Sequence, residues 1–223
     1  MKVLIVGGGI GGLTTALSLH AAGIECRLYE SVIAPRALGV GINLQPNAVR
    51  ELCELGLSEQ LADTAIETST LAYFNKHGQQ IWSEPRGRAA GYNWPQYSIH
   101  RGELLMILLA AGRTRIGADH ICTGLHFTSF EQDADGITAH FTDRRTGGAV
   151  TARGDVLVGA DGIHSAVRAQ LYPHEGKPIF AGLIEWRSAL EAEPFLDGRT
   201  QVMIGHYNQR SIIYPISAKA QIG

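Results

Sequence analysis

A glycine-rich turn near the start of the chain constrains its fold more than any other feature. The apolar run at residues 3–6 leads into Gly7, Gly9 and Gly12, which together give the pattern G-x-G-x-x-G, with Gly11 in the same turn. This pattern is typical of a buried strand that turns directly into a helix, whose free N–H groups face a phosphate. The glycines allow a tight turn, close approach of the backbone to a pyrophosphate and close packing of the helix on the strand. The pattern predicts a dinucleotide site.

A second predicted strand, at residues 26–29, ends in Glu30, which lies 18 residues after Gly12. A carboxylate in that position accepts hydrogen bonds from ribose hydroxyls and repels a 2′-phosphate. We therefore expect FAD or NAD, and not NADP. The structural alternative is a glycine turn in a sheet that binds no ligand. The presence of the complete unit, in which strand, helix and second strand are followed by an acidic residue, argues against this alternative.

Composition narrows the class of partner. The 223 residues are 45% hydrophobic and 18% charged, with a formal charge of −2, which describes a globular protein without a nucleic-acid surface. We expect a small-molecule partner and no membrane partner, because no apolar stretch reaches 18 residues. With a strand predicted from residue 2, we expect no leader segment and a cytoplasmic location. The sequence leaves the oligomeric state open.

The three cysteines carry no predicted chemistry. Cys26, Cys53 and Cys122 are far apart, without a C-x-x-C pair or a histidine at metal-ligand spacing. We therefore expect reduced, packed thiols and no metal site. The same spacing excludes a flavin disulfide reductase, which needs a redox cysteine pair.

The pattern of predicted elements changes twice along the chain. Short β-like runs follow residue 70, an apolar helix opens at Arg101, and a β-meander begins after Asp119. A later apolar strand runs into Gly159-Ala160-Asp161-Gly162, where Ser165 is a candidate N-cap. Further strands are predicted at residues 179–187, 201–204 and 211–216. We expect a discontinuous FAD-binding domain at residues 1–70 and 100–175, and a partial substrate domain at residues 71–99 and 176–223.

This order of motifs resembles the single-component FAD monooxygenases that hydroxylate aromatic rings, the class of p-hydroxybenzoate and salicylate hydroxylases. Five segments are similar to the branch of that class that acts on phenazine carboxylates, and the likeness covers essentially the whole chain. These segments are residues 38–43, 82–87, 95–104, 157–169 and 214–218. The resemblance implies an α/β fold, with a Rossmann-like FAD-binding domain, a β-meander crossover and a β-rich α+β substrate domain.

The resemblance also implies cofactor-binding roles for individual residues. Gly7, Gly9, Gly11 and Gly12 would form the pyrophosphate turn, Glu30 would accept from the ribose, and the backbone of Leu125 would meet the adenine. Arg36, Val40 and Gly41 would lie along the flavin, and Arg101 near the phosphate and ribityl chain. Asp161, with Gly162, would position FAD and bind the nicotinamide cofactor.

Four of these residues have plain structural alternatives. Arg101 could be a solvated cation at a helix start, Asp161 a turn or capping residue, Arg36 an exposed side chain and Leu125 a core residue.

The implied reaction is hydroxylation of an aromatic or heteroaromatic ring, with a phenazine-type carboxylate as one candidate. FAD reduced by NADH or NADPH would react with O2, and a flavin C4a-hydroperoxide would transfer its oxygen. No catalytic residue of the protein is then required. His100, His164, His206 and Tyr207 could orient or deprotonate a substrate, although such residues are more often structural.

One family motif is missing from the sequence. The resemblance implies a later Gly-Asp motif that binds the ribityl chain, and nothing after Gly162 matches it, since Asp197-Gly198 has the reverse order. We therefore expect a truncated chain that binds FAD weakly at best. An NAD-dependent dehydrogenase and a non-catalytic FAD-binding remnant are the two alternative functions.

Overall fold

The structure, a computed structural model, describes residues 1–217 and divides into two compact units. The first comprises Met1–Arg36 and Leu105–Ile184, and the second comprises Ala37–Leu104 and the chain from Glu185 onward. These bounds differ from the predicted domains, because residues 37–70 and 100–104 fall in the second unit and residues 176–184 in the first. The assignment of FAD-binding and substrate domains stays a prediction. Ala218, which ends one of the resembling segments, lies outside the described residues.

The first unit is built on a four-stranded parallel sheet that contains β1 Lys2–Val6, β2 Glu25–Glu30, β8 Ile121–Thr123 and β12 Val156–Gly159. The strands lie in the order β12-β1-β2-β8. The central strand β1 is buried over residues 3–6, as its continuous apolar run predicts for a parallel sheet covered on both faces. Helix α1 Ile10–Ala21 connects β1 to β2.

Helix α1 ends in a turn made by a glycine in the left-handed conformation. Gly23 has φ +72°, and its N–H donates to the His20 carbonyl at 3.0 Å. The N–H of Ile24 donates to the Leu19 carbonyl at 2.9 Å. This pair of bonds is a Schellman-type end, which returns the chain to the sheet for β2.

The predicted β-meander is present and covers the parallel sheet. Its strands are β9 Leu125–Asp133, β10 Gly136–Asp143 and β11 Ala149–Gly154, in the antiparallel order β11-β10-β9. The core between meander and sheet includes Leu4, Tyr29 and Phe141, and the Tyr29 and Phe141 rings stack with centroids 4.5 Å apart. The short helix α5 Ala166–Leu171 follows β12, and Val167 packs into the same core.

The second unit contains two sheets, with the orders β14-β13-β5-β6 and β3-β7-β4. Helix α4 Arg101–Arg115 begins in this unit and continues along the chain into the first. The remaining bounds are β3 Gly41–Leu44, α2 Pro46–Glu54, α3 Ser58–Thr64, β4 Ile66–Thr68, β5 Thr70–Phe74, β6 Gln80–Pro85, β7 Gln96–His100, β13 Thr200–His206 and β14 Gln209–Ile213.

The strand predicted at residues 179–187 is wrong, because the structure forms no strand there. Ile179 is 95% exposed and Trp186 is 92% exposed. The apolar composition of this segment favours a strand, but a strand also needs a neighbour that pairs its backbone groups. Among the described residues, none pairs with it.

Within residues 1–217, no helix has the length and apolar character that a membrane span requires.

Candidate functional site

Helix α1 presents an open N-terminus at the glycine turn. Its N-cap is Gly9, which provides no capping side chain, and the first turn contains no acidic residue. The first intrahelical bond joins the Leu13 N–H to the Gly9 carbonyl at 3.0 Å, so the three preceding N–H groups have no partner in the helix. A Cβ added at Gly9 or Gly11 would meet no atom within 4 Å. Free donors, the positive dipole end and open space suit an anionic group.

Two other glycines of the turn are required for packing. Gly7 has φ +105°, and a Cβ there would collide with the Ala160 carbonyl. A Cβ at Gly12 would collide with the Gly7 carbonyl oxygen. The glycine pattern therefore combines two functions: Gly7 and Gly12 close the turn, whereas Gly9 and Gly11 keep its outer surface clear.

Glu30 lies directly against this turn at the end of β2. Its Oε2 accepts the Gly8 N–H at 2.6 Å, and its Oε1 accepts the Val32 N–H at 2.6 Å and the Ser31 hydroxyl at 3.1 Å. A carboxylate has about four acceptor positions, so one remains for a ribose hydroxyl. The carboxylate thus stays at the turn, as the predicted ribose role requires.

Gly8 is a residue of this site that the sequence reasoning missed. A Cβ at Gly8 would lie 2.8 Å from the Glu30 Cβ and 3.0 Å from its Oε2. Only glycine therefore allows the carboxylate to approach the Gly8 N–H. The signal was present in the sequence, since three consecutive glycines exceed what G-x-G-x-x-G needs.

Two titratable side chains next to the site, Tyr29 and Cys122, are neutral. Burial raises the pKa of the Tyr29 phenol and of the Cys122 thiol, so both stay protonated near neutral pH.

The second glycine turn packs on the first, since the Ala160 N–H donates to the Val6 carbonyl at 2.8 Å. Asp161 accepts the Ser165 hydroxyl at Oδ1 and the Ala166 N–H at Oδ2, at 2.5 and 2.7 Å. Ser165 is the N-cap of α5, as predicted, and its Oγ accepts the Arg168 N–H at 2.9 Å. Asp161 Oδ2 therefore caps α5, while Oδ1 holds the capping Ser165, and the capping alternative for Asp161 is confirmed. Its cofactor role, and that of Gly162, stays a prediction.

Two further candidates lie in the first unit. Leu125 is half-buried at the start of β9 and packs against the core, as its structural alternative predicts. The Gly124 N–H donates to the Val32 carbonyl at 3.1 Å, which brings the start of β9 close to the chain that follows Glu30. The backbone of Leu125 therefore lies near Glu30, the predicted ribose acceptor. Arg36 is exposed.

Val40, Gly41 and Arg101 come together in the second unit. The Arg101 N–H donates to the Val40 carbonyl at 2.9 Å, and the Arg101 side chain is exposed. Gly41 is buried, and a Cβ there would lie 2.6 Å from the Tyr214 ring. The Arg187 guanidinium donates to the Gly41 carbonyl at 2.7 Å. Sequence reasoning missed Arg187, because it lies 146 residues away in the irregular segment and no local pattern marks it.

Comparison with known proteins defines the class of this site. The family described as "FAD binding domain" matches residues 1–204. The chain therefore belongs to this family, and FAD is its cofactor. The prediction of FAD is confirmed.

Individual relatives are named as hydroxylases or monooxygenases of aromatic compounds. The phenazine 1,6-dicarboxylic acid hydroxylase PhzS of Lysobacter antibioticus is 50% identical over 220 residues, which are 97% of this chain and 54% of that protein. The 3-amino-4-hydroxybenzoate 2-monooxygenase of Streptomyces cremeus is 36% identical over 204 residues, or 86% and 47% of the two chains. The resemblance to aromatic-ring hydroxylases is thereby confirmed. The chain spans about half the length of the curated relatives it matches.

A solved structure gives the same result for the fold. Klebsiella pneumoniae HpxO, determined with FAD and uric acid, is 29% identical and superposes with a TM-score of 0.83. The alignment covers 98% of this chain and 54% of that one. The predicted α/β fold is confirmed by this likeness.

Proposed function

We propose that this chain belongs to an FAD-dependent monooxygenase that hydroxylates an aromatic or heteroaromatic ring, using NADH or NADPH and O2. A phenazine-type carboxylate is the substrate class that we favour, because the relative with 50% identity is named as a phenazine dicarboxylic acid hydroxylase. The observation that carries the proposal is the open N-terminus of α1 with the Glu30 carboxylate fixed beside it.

The first unit offers a consistent set of contacts for the adenosine diphosphate part of FAD. The free N–H groups at the start of α1 would bind the pyrophosphate, and Gly9 and Gly11 leave room for it. Glu30 would accept from the ribose with its remaining lone pair. The backbone at Leu125 would contact the adenine.

The second unit offers contacts for the flavin part. Arg101 would place a cation near the ribityl chain, and the backbone at Val40 and Gly41 would lie along the ring. Bound FAD supplies the electron transfer and oxygen chemistry, which no side chain can supply. The protein would orient the ring and exclude water.

Asp161 would affect the cofactor site indirectly, by holding the second glycine turn in place. Its carboxylate caps α5 and thereby fixes the second glycine turn, whose Ala160 packs against Gly7. Asp161 is thus proposed as a positioning residue for the pyrophosphate turn.

A two-stage experiment tests the proposal. The purified chain is first titrated with FAD and, separately, with NAD⁺, and binding is followed by flavin fluorescence and by calorimetry. It is then supplied with FAD, NADH or NADPH, ¹⁸O₂ and phenazine-1-carboxylate, and products are analysed by mass spectrometry. We expect FAD to bind weakly but in preference to NAD⁺, and any oxygenated product to contain one ¹⁸O atom.

The outcomes separate the three functions. Preference for NAD⁺ would favour the dehydrogenase and contradict the proposal. FAD binding without any oxygenated product from phenazine-1-carboxylate or simpler aromatic acids would favour the non-catalytic remnant.

A further inference from the structure

Arg145 is a cation of the first unit that lies beside the candidate cofactor site and is not among the proposed FAD contacts. It belongs to the turn between β10 and β11, and its side chain is 44% exposed. Its Nη1 donates to the Thr123 carbonyl at 2.5 Å, and its Nη2 donates to the Thr123 hydroxyl at 3.0 Å. Because the guanidinium is planar, two bonds from its two terminal nitrogens hold it in one orientation at the end of β8.

Gly124 provides the space that the guanidinium occupies. This glycine has φ +79°, and a Cβ there would collide with the Arg145 guanidinium. The Gly124 carbonyl accepts the Arg144 N–H at 2.8 Å, and the Gly124 N–H donates to the Val32 carbonyl at 3.1 Å. The turn that carries Arg145 is therefore bonded to the same residue that approaches the chain after Glu30.

The turn between β10 and β11 is also held by its own hydrogen bonds. The Asp143 N–H donates to the Gly148 carbonyl at 2.8 Å, and the Asp143 carbonyl accepts the Gly147 N–H at 2.7 Å. Asp143 Oδ1 accepts the Arg145 N–H at 2.7 Å and lies 4.0 Å from Arg145 Nη1. The protein itself thus positions the guanidinium, which lowers the entropic cost of binding a ligand against it.

The order of the parallel strands indicates which part of FAD would lie at Arg145. The carboxyl ends of β1, β2 and β8 follow one another across the sheet, at about 4.8 Å per strand. The proposed pyrophosphate contacts follow β1, and Glu30, the proposed ribose acceptor, ends β2. Thr123 ends β8 and pairs with Glu30 in the strand register. A nucleotide that continues in this direction places its base at the end of β8, beside Arg145.

The chemistry at the end of β8 suits an aromatic base. Leu125, whose backbone is proposed for the adenine, faces Asp143 in the β9–β10 register and so lies next to the turn that carries Arg145. A guanidinium stacks on aromatic rings through its flat face and its positive charge. The Glu30 carboxylate repels a 2′-phosphate on the ribose, so a cation at this place is better suited to the base.

We propose that Arg145 stacks its guanidinium on the adenine ring of FAD and thereby favours a purine at the end of β8. This role rests on the FAD contacts proposed for the first unit, and it adds a side-chain contact to the proposed backbone contact at Leu125. Thr123 and Gly124 are positioning residues, because the first bonds the guanidinium and the second leaves space for it.

Calorimetric titration of the 223-residue chain with ADP and UDP tests this role, because the two ligands share the ribose diphosphate and differ in the base. We expect ADP to bind more tightly than UDP. In Arg145→Met the ratio of ADP to UDP affinity should fall about fivefold, the scale of one exposed cation–π contact. Arg144→Met is the matched control and should leave the ratio unchanged, since the Arg144 guanidinium lies at His126, with Nη2 3.4 Å from Nδ1.

An NMR measurement on the wild-type chain keeps the proposal testable if Arg145→Met does not fold, which thermal unfolding would show. The Arg145 Nε–H signal, identified by its absence from Arg145→Lys, should move upfield when ADP is added. A proton above an aromatic ring face is shielded, whereas a guanidinium that only stabilises the turn would give no such shift.

Three results would overturn the proposal. They are an equal loss of ADP and UDP affinity in Arg145→Met, an unshifted Arg145 Nε–H signal at saturating ADP, and failure of the wild-type chain to bind ADP. These titrations use neither a nicotinamide cofactor nor an aromatic substrate. A chain that shows the expected ADP preference but forms no oxygenated product would therefore support the role of Arg145 and contradict the proposed oxygenase function.

Discussion

Two neighbouring strands of the parallel sheet, β1 and β12, are each followed by a glycine turn and a helix, but the two helix N-termini differ. At α5, Asp161 and Ser165 accept the N–H groups of Ala166 and Arg168. At α1, no side chain caps the helix and the surface around Gly9 is clear. The same local architecture is therefore closed by its own side chains in one case and open to an anion in the other.

The difference shows why a glycine motif alone does not define a site. Both turns contain glycine and both come at the carboxyl end of a strand, yet only one leaves its backbone donors without a partner. A Ser or Asp N-cap stabilises a helix by a few tenths of a kcal/mol relative to Gly, and α1 lacks this contribution. A bound phosphate would supply the missing partner.

The largest effect is expected from Gly12→Ala. Its Cβ would collide with the Gly7 carbonyl, which is backbone and cannot move aside easily. We expect a loss of about 3 kcal/mol or more in the free energy of unfolding, measured by urea denaturation. Gly11→Ala is the matched control, and should stabilise the helix by about 0.5–1 kcal/mol because its Cβ meets no atom. Similar unfolding curves for the two variants would contradict the distinction between glycines needed for packing, such as Gly12, and glycines that keep the outer surface clear, such as Gly11.

Glu30→Ala should weaken FAD binding by about 1–3 kcal/mol, since it leaves polar groups of the turn and ribose unpaired. The comparison variant is Glu25→Ala, at the exposed start of the same strand. In a fluorescence titration with FAD, Glu25→Ala should show wild-type affinity and Glu30→Ala should not. If Glu30→Ala also matches wild type, Glu30 does not belong to the cofactor site.

Asp161→Ala should lower the free energy of unfolding by about 2 kcal/mol, because α5 loses the acceptor of its first N–H groups. Asp161→Asn keeps one acceptor oxygen and should lose about half as much. The measurement is again urea denaturation. An Asp161→Ala variant as stable as wild type would show that α5 does not depend on this cap.

The smallest change in stability is expected from giving α1 the cap that α5 has. Gly9 has φ −73° and ψ −176°, a conformation that any residue adopts, so Gly9→Asp can cap without strain. We expect a gain of a few tenths of a kcal/mol, roughly the difference between Gly and Asp at an N-cap. A large loss of stability in thermal unfolding would mean that the space at Gly9 is not free.

The sequence predicted the first unit well, because its signals are local. The strand predicted from the apolar run at residues 3–6, the β-meander and the Ser165 cap are all present. Glu30 could be placed at the turn because parallel strands end at the same edge of a sheet.

The errors and omissions concern contacts between distant parts of the chain. The segment at residues 179–187 has strand-like composition, but whether a strand forms depends on a pairing neighbour that composition does not reveal. Arg187 reaches Gly41 across 146 residues, and no spacing rule marks such a contact.

The most direct test of the account is FAD titration of Gly9→Asp, with Gly9→Asn as the uncharged control, in chains shown to be folded by thermal unfolding. The account predicts that a carboxylate at the N-cap closes α1 as Asp161 closes α5. FAD affinity should then fall by at least about tenfold in Gly9→Asp, and by less in Gly9→Asn, while stability is maintained or raised. FAD affinity in Gly9→Asp equal to that of wild type would contradict the claim that this helix N-terminus holds the cofactor's phosphates.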